Sequence, residues 1–239
     1  METELLAPAG DKEAAYSAFY FGADAIYLGL KHFSARAEAV NFEKADLDEI
    51  TAYAHHLGKK VYVAINTLMQ EDELPSLMES LKICSDCQVD AVIVQDLGVA
   101  RLVKRCFPSL SLHASTQMAV HNLAGALALK KQGFERVVLA RELSLAEILH
   151  IQEKAGVEIE VFVHGALCYS YSGLCLFSSL TTSRSANRGK CVYSCRSLFE
   201  RNGEKSHLFS MKDLALEKDV LKLKGISLKI EGRKKQLYM

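Results

Sequence analysis

The sequence predicts an α/β protein, a TIM-like (β/α)8 barrel, on three observations. Eight short β-branched or apolar runs alternate with helix-like stretches along 239 residues, close to the ~250 typical of such barrels. Glycines stand where the helices should stop. No glycine-rich phosphate fingerprint follows the first strand, as the alternative, an open dinucleotide-binding sheet, would require.

In chain order, the first strand is predicted over Glu4–Ala9, with Pro8 near its end, and a helix over Asp11–Phe21 follows. A strand at Ala25–Leu30 leads to a helix at Lys44–Leu57, a strand at Val61–Asn66 and a helix at Leu74–Cys87, with Pro75 in its first turn. Then come strand Ala91–Gln95, helix Gly98–Cys106 stopped by Pro108, strand Leu112–Gln117, helix Asn122–Gln132 and strand Arg136–Arg141. Ser144 and Glu147 form a capping box for the helix Leu145–Ala155, which precedes the strand Glu158–His164. A long insertion, residues 166–210, follows that seventh strand; helix Lys212–Lys224 and strand Ser227–Gly232 close the pattern. Gly22, Gly58, Gly133, Gly156 and Gly225 each follow a periodic run, in the left-handed cap position where a missing Cβ removes a steric cost. Residues 1–239 are therefore predicted to form one barrel domain. Six residues remain after Arg233, so the final helix is expected to be truncated and a C-terminal region to be lacking.

Composition narrows the function. Hydrophobic residues make up 49% of the chain, enough for a large core, and 29 basic side chains balance 29 acidic ones, which excludes a uniformly basic nucleic-acid coat. The balance is uneven: Arg184–Met239 carries 14 Lys/Arg against 6 Asp/Glu, a net of +8, and the remainder carries −8. Such a basic quarter either tracks phosphates or answers an acidic partner surface. The start, Met1-Glu2-Thr3-Glu4, lacks the basic opening of a secretory signal, and no apolar stretch approaches the ~20 residues that span a membrane. A cytoplasmic location without membrane attachment is expected. The seven cysteines then sit in a reducing compartment, where fixed spacing points to metal or redox chemistry.

Barrel active sites form at the C-terminal strand ends. There the sequence places Asn66, Gln95, Asp96, His113, Ser115, Gln117, Arg141, His164, Lys229, Glu231 and Arg233. So many polar groups ending apolar strands point to a polar ligand; an internal network, with Lys229 paired to Glu231, is the structural alternative. His113, Gln117, Arg141, His164 and Glu231 are the candidate catalytic groups. Asn66, Gln95, Ser115 and Arg233 are candidate substrate-binding groups, and Arg141 or Arg233 suits a carboxylate or phosphate.

The insertion carries Cys168, Cys175, Cys191 and Cys195, with six, fifteen and three residues between successive cysteines. Four thiolates on one loop suit either a closed zinc site or an iron–sulfur cluster. Between them, Arg184, Asn187, Arg188 and Lys190 lie among small hydroxyl residues and suit an anionic substrate, and Tyr169, Tyr171 and Tyr193 suit stacking on a base. Cys84 and Cys87 fall within a helical pattern and, with Cys106, are read as structural.

Glu160–Ser178, with Glu-x-Phe-x-x-Gly-Ala-x-Cys followed by Ser-Gly-x-Cys and a further Ser, resembles the signature of peptidase family U-32, the collagenase-like family. Similar to that family too are Leu5-Leu-Ala-Pro-Ala-Gly10, Gly22-Ala-Asp-Ala-Ile-Tyr27, His113-Ala-Ser-Thr-Gln117, Asn187-Arg-Gly-Lys-Cys191, Lys212-Asp-Leu214 and Ser227-Leu-Lys-Ile-Glu-Gly-Arg233. Phe33-Ser-Ala-Arg36 and Val138-Leu-Ala-Arg-Glu-Leu143 resemble its RNA-modifying branch. The resemblance implies an oxygen-independent hydroxylase with a 4Fe-4S cluster on the four cysteines and prephenate as oxygen donor. It implies an RNA substrate, the wobble uridine of transfer RNA or a cytidine of 23S ribosomal RNA; other members act on the ubiquinone ring. A collagenase-like protease, and a zinc-bearing binding module or inactive fragment, are the alternatives. Several relatives carry a cysteine where this chain has Ala215; if that cysteine is a ligand in them, either Cys195 serves instead here or the cluster is incomplete.

Overall fold

The structure, a computed structural model, describes residues 2–30, 33 and 42–232. Strands β1 (Glu4–Pro8), β2 (Ala25–Gly29), β3 (Lys60–Ile65), β4 (Ala91–Val94), β5 (Ser111–Ala114), β6 (Arg136–Val138) and β7 (Glu158–Ala166) alternate with six helices. These are α1 (Lys12–Tyr20), α2 (Lys44–His56), α3 (Leu74–Asp86), α4 (Leu97–Cys106), α5 (Leu123–Lys131) and α6 (Leu145–Ala155). The insertion holds α7 (Phe177–Thr182) and the hairpin β8 (Phe199–Arg201) and β9 (Glu204–Ser206); β10 (Asp213–Ala215) and β11 (Ser227–Ile230) follow. Six neighbouring parallel pairs from β1 to β7, with β11 joining β7 back to β1, close an eight-stranded parallel barrel.

Alternation along each strand builds two apolar layers. Ile26, Val63, Val92, Leu112, Val137 and Val161 face the helices, where they meet Leu47, Ile50, Leu77, Leu81, Ile148 and Ile151 in one continuous core. Each such side chain contributes roughly 1.5–3 kcal/mol through burial. Leu6, Ala25, Tyr62, Ala91 and Ile93 fill part of the lumen. The predicted punctuation holds: Gly22, Gly58, Gly133, Gly156 and Gly225 all have positive φ, and Ser144 and Glu147 complete the capping box of α6.

Two expectations are corrected. Lys212–Lys224 is not a helix. Its first residues form β10, which runs antiparallel to the upper half of β7, and only a single 3-10 turn, Val220–Lys222, occurs in the rest. The reason is an open edge: β6 spans three residues and its pairing with β7 ends at Glu160. The leucines that suggested a helix are used for packing, Leu223 being fully buried. Second, the fifth and sixth strands stop three residues early, at Ala114 and Val138. After Ala114 the Ser115 hydroxyl accepts the Gln117 N–H and starts a 3-10 turn. The expected truncated last helix, Arg233, and residues 34–36 of the Phe33–Arg36 motif lie outside the described residues.

Candidate active site at the barrel mouth

Below the mouth, the lumen holds a closed ionic network. Arg136, at the start of β6, binds both carboxylate oxygens of Glu4, Glu158 at 2.9 Å, Glu160 at 3.4 Å and the Ser227 hydroxyl at 3.2 Å. Lys229 donates to Glu160 at 2.7 Å and lies 4.2 Å from the Tyr27 ring centroid; the Glu160 side chain is fully buried. The hydroxyls of Tyr62 and Ser227 each donate to Glu4 at 2.7 Å. Burial raises the Glu4 pKa, but the hydrogen bonds and charge of Arg136, then Ser227 and Tyr62, hold it below its ordinary value. His113 packs edge-on to Tyr62 at 4.7 Å. Burial, reinforced by Arg136, Lys229 and Lys60, pushes its pKa well below the ordinary value, so the imidazole is neutral.

Phe162 separates this network from the mouth, with Lys229 5.4 Å from its ring centroid and Arg141 3.8 Å. Above it, one arc of the rim is charged. Arg141 pairs with Glu231 at 3.0 Å and donates to the Ala166 carbonyl, and the Ala166 N–H donates to Glu231 at 2.7 Å. Gly165, at φ +140°, makes that possible: a Cβ there would lie 2.4 Å from the Glu231 Cβ. Lys229 and Glu231 are thus not paired with each other; a register shift in β11 after Lys229 gives them different partners. Glu142 accepts the N–H and hydroxyl of Ser172 at 2.6 and 2.8 Å, bonds that lower its pKa against the opposing effect of burial.

The other arc is neutral. Ile65, Val94 and Ala114 stand in register on β3, β4 and β5, so Asn66, Gln95 and Ser115 follow as neighbours at the strand ends. Asn66 reaches the Ser115 hydroxyl at 3.5 Å, and that hydroxyl accepts the Gln117 N–H at 3.2 Å. The side-chain carbonyl oxygens of Gln95 and Gln117 are buried and accept no hydrogen bond among the described residues.

The insertion sits on both arcs. Ser172 is bound to Glu142, and Gly173, at φ +76°, lies so close to the neutral arc that a Cβ would stand 2.1 Å from the Gln117 carbonyl oxygen. Across the mouth, Arg188 donates to the Leu68 carbonyl at 2.7 Å and pairs with Glu73. Arg188 therefore fastens the insertion to the rim. Arg184 is exposed, and Asn187 is half-buried in a 3-10 turn. Tyr169 is taken up in an aromatic cluster with Phe177, Phe199 and Phe209, whereas Tyr171 packs on His121 with ring centroids 5.5 Å apart.

Cys168 and Cys191 are exposed and Cys175 and Cys195 half-buried. Partial burial and the three other thiols raise the Cys168 pKa, and partial burial with Cys191 and Cys175 raises that of Cys195, which places all four in one electrostatic neighbourhood. Among the described residues, no three Cys, His, Asp or Glu side chains converge into a ligating set. The donor chemistry, four soft sulfurs on one loop, fits a thiophilic centre; the loop geometry is open rather than closed around one. Cys84 and Cys87 are buried in α3, and burial pushes the Cys84 thiol up to about 12.

The structure thus brings Asn66, Gln95, Ser115, Gln117, Arg141 and Glu231 to the mouth, with His113 beneath them in the lumen. His164 is turned away to Glu217 at 3.8 Å, its side chain 60% exposed. Sequence reasoning missed Glu4, Tyr62, Arg136 and Glu160 as a network, although charges at alternate positions of apolar strands were the available signal. It also missed His121, 3.5 Å from Glu142 at the rim, for which a loop position gives no such signal.

The model of peptidase family U32 matches residues 10–239. Over 251 residues the chain is 38% identical to the tRNA hydroxylation protein P1 of Bacillus subtilis, covering 98% of this chain and 60% of that protein. It is 41% identical over 244 residues to the 23S rRNA 5-hydroxycytidine synthase of Escherichia coli, covering 98% of this chain and 37% of the enzyme. This chain thus spans less than two thirds of either relative. A solved structure described as a U32 peptidase shares the fold, with a TM-score of 0.67 at 18% identity, over 98% of this chain and 94% of that one.

Proposed function

The chain belongs to peptidase family U32, and on that premise we propose that it is an iron–sulfur-dependent, oxygen-independent RNA hydroxylase using prephenate as oxygen donor. Two relatives named for tRNA hydroxylation and for 23S rRNA hydroxycytidine synthesis support a tRNA or rRNA substrate. The observation that carries the reading is the seating of the cysteine loop: between Cys168 and Cys175, Ser172 and Gly173 are clamped onto the two arcs of the mouth. A thiolate-held centre there adjoins the polar ligand site.

Cys168, Cys175, Cys191 and Cys195 would hold the 4Fe-4S cluster, and assembly would draw their two segments together. When bound, the cluster supplies one-electron chemistry. Arg141, on Phe162 and beside Glu231, is placed to exchange that carboxylate for one of the donor's. Arg184 and Lys190 offer cations to the RNA phosphates. His113 stays neutral below the mouth. The protease reading draws less support: the Cys168 thiol is raised in pKa, opposite to an activated nucleophile, and His164 faces Glu217.

The test is anaerobic purification of this chain and its Cys195→Ser variant, with a visible spectrum and iron and sulfide analysis. A brown protein absorbing near roughly 400 nm, whose iron is lost in the variant, is expected. A colourless protein containing zinc overturns the hydroxylase reading.

A further inference from the structure

We propose that Gln95 and Gln117, on the neutral arc, form the subsite that reads the hydrogen-bonding edge of the nucleobase; this rests on the RNA reading above. Gln95, just past the end of β4, follows the lumen-lining Ile93 by two positions, so continued alternation carries its side chain inward. Gln117 is held by the turn that Ser115 caps and Ala119 closes at φ 54°, and Gly173 roofs it. Both side-chain carbonyl oxygens are buried without a donor among the described residues. Buried acceptors are ordinarily satisfied, and a protein that leaves two at one rim leaves them for a ligand.

The chemistry of that ligand follows from the groups. A carboxamide presents an acceptor and a donor side by side in one plane. Its complement is a planar edge with an N–H beside an acceptor, as uracil presents at N3 and O4 and cytosine at N4 and N3. Asn66, Gln95, Ser115 and Gln117 themselves carry no charge, so they suit a neutral hydrogen-bonding edge better than a phosphate. Next to the arc, Gly29 and Ala64, paired in register on β2 and β3, occupy the upper lumen positions with the smallest side chains. Tyr171, 65% exposed, lies two residues before Gly173 in the covering loop and offers a ring face for stacking.

The experiment is fluorescence anisotropy with the full chain and two labelled probes of equal length, oligouridylate and oligo(3-methyluridylate), in which the N3 edge is blocked. Neither turnover nor the donor is needed. The unmodified chain is expected to bind oligouridylate about tenfold more tightly than the methylated probe, in line with one bidentate base contact. Gln95→Leu and Gln117→Leu, checked for unchanged melting temperature, should bring oligouridylate down to the methylated level. Lys190→Ala should weaken both probes alike. Equal binding of the two probes by the unmodified chain, or a preference that survives both glutamine substitutions, overturns the subsite and leaves the RNA reading standing. Failure to bind either probe overturns both.

Discussion

The barrel contains two polar regions, and they are finished to different degrees. In the lower lumen, Glu4, Arg136, Glu160, Lys229, Tyr62 and Ser227 satisfy one another through short bonds, and their charges oppose in a sealed volume. At the mouth, Arg141 and Glu231 are matched, yet two buried amide oxygens a few strands away have no donor among the described residues. These six groups serve the fold, while the Nδ1 of His113 beside them lacks a partner among the described residues. On the proposed function, the leftover capacity of the two glutamines marks the working end, and strongly bonded charges are weaker pointers to it than these neutral side chains.

The largest test of that contrast is Arg136→Met, which removes the cation bound to Glu4 and one of the two bound to Glu160. Breaking a buried pair in this way costs about 3–5 kcal/mol, read as a fall in denaturant midpoint. Lys229→Met should behave similarly, and the double variant Glu160→Leu/Lys229→Met should recover most of the loss. If Arg136→Met melts like the parent, the network is not a structural unit. Next, Glu231→Ala removes the partner of Arg141 and the acceptor of the Ala166 N–H, at about 1.5–3 kcal/mol, checked by thermal melting.

A pH effect of similar or smaller size comes from His113. Its folded pKa is depressed, so below its ordinary value of 6.5 the unfolded chain takes up a proton that the folded chain refuses. Stability should therefore be full above that pH and fall below it by up to about 1.4 kcal/mol per pH unit until the folded form titrates. His113→Asn should flatten the melting temperature between pH 6.5 and 5.5, roughly the first unit of that window. Glu4 acts in the same direction at lower pH, its contribution being present above its ordinary 4.5 and lost as pH drops through the folded value. The smallest change is expected for Gln95→Leu, within about 0.5 kcal/mol of the parent. A loss of several kcal/mol there would place the neutral arc with the structural network.

Most of the wall was legible because its signals are local. Short continuous apolar runs such as Val61–Ile65, buried at every position, and glycines past helix ends, such as Gly156, need no knowledge of distant residues. The rim residues Asn66, Gln95 and Ser115 were legible for the same reason, since strand ends in a barrel converge. Three things were not. Lys212–Lys224 has a helical spacing of leucines, but whether residues 213–215 join a sheet depends on how short β6 is, some seventy-five residues earlier in the chain. The partners of Lys229 and Glu231 depend on a register shift after Lys229. The engagement of Arg188 by Glu73 joins segments 115 residues apart, and a sequence of cations among serines reads as a phosphate loop until that carboxylate is seen.

The pairing of β10 with β7 builds the stretch just after the insertion into the wall, so the cover above is tied to the barrel at both ends. Asp213, Leu214 and Ala215 occupy the hydrogen-bonding edge that β6 leaves bare, so excising the cysteine segment and splicing its ends could not yield a plain barrel unless this stretch were kept. Grafting the segment onto another eight-stranded scaffold would fail for the converse reason, because a full-length sixth strand would already fill the slot. The cysteine loop and the shortened strand are thus coupled, since one without the other would leave either an unpaired edge or nowhere to anchor the loop.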